Sequence, residues 1–70
     1  MTLNEAQLGQ EYLIESVDTE GDEDMESFLF SLGCYSGEKI TVVDRGRNLV
    51  VSIKDARYNI DPDLATAIQI

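Results

Sequence analysis

Histidine and tryptophan are absent from this 70-residue sequence, and cysteine and proline occur once each, as Cys34 and Pro62. With one thiol and no imidazole, the chain has neither an internal disulfide framework nor the ligands of a cysteine–histidine zinc site. The same lack removes the commonest catalytic base, and no Gly-rich phosphate loop stands in for it. No enzyme, resident metal or cofactor is expected. No apolar run approaches the ~18 residues of a membrane span, and no signal-peptide core is present. Direct membrane insertion is therefore not expected, and a cytoplasmic location is. Basic residues are missing from the whole of residues 1–38, which carry ten acids, while residues 39–70 hold five bases and four acids. The halves sum to −10 and +1, a net −9. A phosphate backbone or an anionic membrane surface would be repelled by the first half, and five scattered bases form no stripe, so nucleic acid is excluded as a partner.

Hydrophobic residues make up 43% of the chain, enough for one small core. Met1 opens the sequence as an initiator would, and residues 1–70 are expected to be a whole protein of one domain. The organising stretch runs from Asp22 to Val43. Met25, Phe28, Leu29 and Leu32 recur at helical spacing and share one face, which predicts a helix at about residues 22–32 with Met25, Leu29 and Leu32 beneath it. Asp22, Glu23 and Asp24 suit its N-terminus, and Gly33 stands where a left-handed residue ends a helix. After Gly37 the period falls to two, with Ile40 and Val42 alternating against their neighbours in a strand from Lys39 to Asp44.

The remainder reads as strand. Leu3, Ala6 and Leu8 form a short apolar lead-in closed by Gly9. Glu11 to Val17 is strand-like with apolar groups on both faces, as in a small barrel or at a bulge. Arg45 to Asn48 is a polar hairpin turn leading to Leu49–Ile53; Lys54-Asp55 is a tight turn leading to Arg57–Ile60. Asp61-Pro62 announces a helical turn from Pro62 to Ala65, and Ala67–Ile70 closes the chain as a strand. The whole is mainly β: about five short strands, one α-helix inserted after the first, and a helical turn before the last. Too few strands exist for a sandwich, and a small, partly open barrel is the economical answer, with a Greek-key barrel of the OB type as the runner-up.

In the order and spacing of these residues the chain resembles the ferrous iron transport protein A family. Gly9 and Ile14 carry the resemblance in the opening strand, Leu29, Leu32 and Gly33 in the helix, and Gly37-Glu38-Lys39-Ile40-Thr41-Val42 in the next strand. Ile60, Ala65 and the Ile68-Gln69-Ile70 ending complete it. The resemblance implies an SH3-like barrel and a cytoplasmic accessory of the large membrane GTPase that moves Fe²⁺, ferrous iron transport protein B, held at the inner face of the membrane by that partner. It also extends to the C-terminal module of diphtheria-toxin-repressor-type metalloregulators, but a repressor role is not expected, because no DNA-binding helix-turn-helix is read in these 70 residues. One feature departs from the family pattern. The family's helix opens on basic residues, and this one opens on Asp22-Glu23-Asp24-Met25-Glu26.

Candidate contact residues come from the same stretch. Phe30 falls about 100° round the helix from Leu29, off the core face, and Tyr35 follows just past the helix end. Together they suit an exposed aromatic anchor for the transporter's cytosolic GTPase region, the alternative for Phe30 being packing against Leu3–Leu8. Glu20 and Glu23 represent the acidic run from Asp18 to Glu26, expected to steer the partner rather than to bind metal. The run does not match a calcium loop, because Gly21 comes too soon after Asp18. The second function class is nonetheless a stand-alone domain that senses or buffers divalent transition metal through those acids. Cys34 is expected to act as a small buried hydrophobe. Self-association is left open.

Overall fold

The expected opening strand is broken in the middle, and the break sets the architecture. The computed structural model describes residues 1–70. Glu11–Leu13 (β1) pairs antiparallel with Lys39–Arg45 (β3), whereas Ser16–Val17 (β2) pairs with Ile68–Gln69 (β6). Between them Ile14 is wholly buried, its N–H donating to Glu38 O (2.8 Å), and the Glu15 N–H donates to Gln69 O (2.7 Å). One strand thus hands its partners from one sheet to the other. Counting β1 and β2 as a single broken strand leaves the five that the sequence predicts.

The larger sheet runs β1-β3-β4-β5, with Leu49–Ile53 as β4 and Ala56–Ile60 as β5, every pairing antiparallel. The smaller is β2-β6, so the barrel stays open. A bulge at Val43, where the β3–β4 register shifts between Val42 and Asp44, adds the local bend that curls the larger sheet. Alternation does the sorting. Ile40 and Val42 of β3, then Leu49, Val51 and Ile53 of β4, point into one core with Ile14, Ile60 and Ile68.

The inserted helix α1 spans Glu23–Leu32, with Asp22 as its N-cap: the Asp22 Oδ1 accepts from the Met25 N–H at 3.0 Å. Leu29 alone of its side chains is fully buried, while Met25 and Leu32 are half-buried against the core. Phe28, expected on the same face, is 46% exposed, as is Phe30. The reason is angular. At about 100° per residue, Phe28 and Phe30 lie equally far on either side of Leu29, so a helix seated on the Leu29 line half-exposes both.

Two further expectations need correcting. The turn at Pro62 is a six-residue helix, α2 (Pro62–Ala67), capped by Asp61 through its Oδ1 and the Leu64 N–H (2.8 Å). It replaces the start of the last strand because the small side chains of Ala65 and Ala67 let it lie close on the core, both being buried. In the lead-in, Leu3 and Ala6 are buried by a 3₁₀ turn over Leu3–Glu5, but Leu8 is exposed.

Candidate partner-binding surface

The C-terminal end of α1 is locked by backbone chemistry before any side chain takes part. Gly33 adopts φ +96°, the Cys34 N–H donates to Leu29 O and the Gly33 N–H to Phe30 O, both at 3.0 Å. This is a Schellman ending, and Leu29 and Cys34, the positions between which an apolar contact commonly accompanies it, are both buried in the core. The chain then turns tightly, the Glu38 N–H donating to Tyr35 O (3.1 Å) and the Gly37 N–H to Ile14 O (2.9 Å). Gly33 also sits close to the sheet: a Cβ there would meet Ile53 Cγ2 at 3.3 Å.

On that frame Phe30 and Tyr35 meet edge to face, ring centres 6.3 Å apart at 79°. They are 46% and 37% exposed. Phe30 therefore packs on Tyr35 at the surface. Tyr35 is held from its other end, where Lys54 Nζ donates to the hydroxyl at 2.6 Å and lies 5.0 Å from the ring centre. Lys54 Nζ is in turn 3.6 Å from Glu38 Oε1. The Tyr35 hydrogen bond, aided by Glu38, holds the Lys54 ammonium above the ordinary lysine range, against a smaller opposing effect of desolvation. A pair of aromatic rings, presented to solvent and fixed in orientation, is what an interface anchor requires.

Glu20 and Glu23 lie elsewhere. Glu23 opens α1, about 10 Å along the helix axis from Phe30 at ~1.5 Å per residue, and Glu20 precedes it in the loop. Glu20 holds φ +54°, its N–H donating to Asp18 Oδ1 at 3.0 Å. Within the acidic run, Asp18 and Asp22 thus spend carboxylate oxygens on backbone N–H groups, and nowhere do three carboxylate or thiol groups converge in a metal-holding cluster. The structure brings Phe30 and Tyr35 together and leaves the two glutamates apart from them. Phe28, as exposed as Phe30, was missed by the sequence reading because periodicity assigned it to the core. Lys54 and Glu38 were missed too. The turn signal at Lys54 was legible, but its reach to Tyr35 was not.

Cys34 is fully buried, and burial pushes its thiol up to about 11. A low-pKa thiolate is needed for nucleophilic or redox chemistry, so this thiol is poorly suited to either. Two concavities remain. A polar cleft of ≈ 360 Å³ lies over the outer face of the larger sheet, lined by Glu11, Glu38, Lys39, Thr41, Ser52 and Lys54 among others. A notch of ≈ 170 Å³ lies between the acidic loop and α2, with Asp18, Glu20 and Asp63 on its walls.

The FeoA domain model matches residues 1–70, the whole chain. Among solved structures, FeoA of Stenotrophomonas maltophilia superposes with a TM-score of 0.88 at 27% identity, over 99% of this chain and 87% of that one. That protein, complexed with zinc, is described as a prokaryotic SH3 domain protein and proposed as a bacterial ferrous iron transport activating factor. A second FeoA, described as an iron uptake regulatory protein, gives 0.86 at 22% identity over 97% of this chain and 89% of that one. A manganese-dependent transcriptional repressor gives 0.86 at 20% identity, this chain covering 39% of its length, and that likeness is of fold alone. No curated protein matches the chain. The SH3-like fold expected from the sequence is therefore the one found.

Proposed function

The chain belongs to the FeoA family of small proteins associated with ferrous iron transport, and from that membership we propose that it is a non-enzymatic accessory of ferrous iron transport protein B. In this reading it works at the inner face of the membrane through the transporter's cytosolic GTPase region, with no cofactor of its own. No helix of the chain is long and apolar enough to cross a membrane, so attachment would come from the partner. The observation that carries the proposal is the exposed Phe30–Tyr35 pair, fixed by the Schellman ending on one side and by Lys54 on the other. Interfaces concentrate their energy in such anchors because a rigid ring buries much area at little entropic cost.

Binding of the chain to the immobilised GTPase region tests this. Phe30→Ala is expected to weaken binding by ~1–3 kcal/mol, mostly through faster dissociation and with little salt dependence. Equal affinity of parent and variant would remove the helix end as the contact.

A further inference from the structure

The larger sheet is open, and its first edge is the strand β1, with no neighbour on the side away from β3. In the β1–β3 ladder Tyr12 lies opposite Ile40, and two residues on the Ile14 N–H bonds Glu38 O at 2.8 Å. Antiparallel pairing alternates, so the backbone groups of Glu11 and Leu13 turn outward from the ladder. No loop or side-chain hydrogen bond reaches them. The Leu13 side chain is 61% exposed, more than any other large apolar side chain of the chain. Glu11 and Glu15 flank it, both exposed. Glu11's one ionic contact is a 3.9 Å pair with Lys39, exposed on both sides and therefore easily exchanged.

We propose that β1 is an acceptor edge: an extended, basic segment of a partner protein adds alongside it, pairing with the free backbone groups of Glu11 and Leu13. Main-chain bonds supply affinity in such an addition, and the side chains select the strand. Here the selection is for Lys or Arg near Glu11 and Glu15 and an apolar residue over Leu13. Glu11 also borders the polar cleft, which gives a long basic side chain room to extend over the sheet. A second copy is a poor occupant, because each chain carries −9. The opposite edge, β5, carries Arg57 and would repel the same segment. The backbone edge is distinct from the Phe30–Tyr35 anchor, although the cleft beside it is bordered by the Lys54 and Glu38 that hold Tyr35.

The test is a titration of the full ¹⁵N-labelled chain with the end-capped peptide Lys-Thr-Val-Thr-Lys, whose Lys, Val and Lys share one face, read by amide shifts and amide hydrogen exchange. Two derivatives, N-methylated on alternate amides in one register or the other, report backbone pairing. The expected result is saturable binding with slowed exchange at Glu11 and Leu13. One methylated register should lose at least tenfold in affinity and the other stay near the parent peptide. Leu13→Lys should also lose at least tenfold, and Phe30→Ala should leave binding unchanged. Absence of binding, equal binding of both methylated peptides, or shifts confined to Asp18–Glu26 would overturn the proposal, the last two marking attraction by net charge alone.

Discussion

Cys34 and Gly33 stand side by side and show what single residues contribute here. The thiol ordinarily titrates at 9.0, and burial raises it to about 11. The folded chain therefore holds this proton more tightly than the unfolded chain. The resulting stabilisation is complete below pH 9 and is lost as the pH climbs towards 11. Lys54, also raised, loses its charge and its bond to Tyr35 in the same alkaline direction. At pH 8 a thiol-reactive disulfide reagent should modify Cys34 at least roughly tenfold more slowly in the folded than in the urea-unfolded chain, because burial both hides the sulfur and suppresses its thiolate. Equal rates would place the thiol at the surface. At Gly33 any side chain meets both a left-handed φ and a close approach to Ile53. Gly33→Ala should cost about 1–2 kcal/mol from the left-handed backbone alone, measured by urea unfolding, and an unchanged midpoint would contradict the geometry. The helix stop was legible from the sequence, since glycine after an apolar stripe is local chemistry. The 3.3 Å approach to Ile53 was not, because it joins residues twenty apart in the chain.

At the scale of elements, α1 shows what periodicity can and cannot give. The 3.6-residue spacing located the helix within a residue of its bounds, and Asp22 was legible as its cap. The spacing defines a face but not the line on that face that meets the sheet. That line runs through Leu29, so Leu29→Ala should cost ~2–5 kcal/mol, lost burial plus a cavity, and Leu32→Ala distinctly less. Thermal melts of the two variants side by side check the order, and the reverse order would mean the helix is rotated. The split of the opening strand was half-legible. Apolar groups on both faces of residues 11–17 signalled a bulge or barrel, but not that its two halves serve different sheets. The length of α2 was hidden because its buried residues are alanines, which carry little hydrophobic signal. For the candidate site, Phe30 and Tyr35 were legible from the helical wheel and from chain proximity. The tie through Lys54 was not, since it spans nineteen residues and depends on how the β4–β5 turn folds back.

For the whole molecule the governing quantity is charge asymmetry. All ten acids of residues 1–38 lie without a base among them, whereas residues 39–70, which supply β3 to β6, are nearly neutral. A chain measuring 29 × 25 × 22 Å is wider than the Debye length, roughly 10 Å at 0.1 M salt, so distant acids are largely screened from any one contact patch. Glu23, about 10 Å along α1 from Phe30, and Glu20 before it lie near that limit. On the function proposed above, they would influence approach to the partner rather than the docked contact. Charge reversal at either, Glu20→Lys or Glu23→Lys, should slow association with the GTPase region by roughly two- to fivefold at low salt and leave dissociation nearly unchanged. Near 1 M salt the Debye length falls to ~3 Å and the difference should vanish. Glu23→Gln should give about half the effect on the logarithm of the rate, because half the charge change is made. Association rates measured at two ionic strengths decide between roles. If the reversals speed dissociation and the loss persists at high salt, the glutamates touch the partner, and the interface extends along the whole of α1.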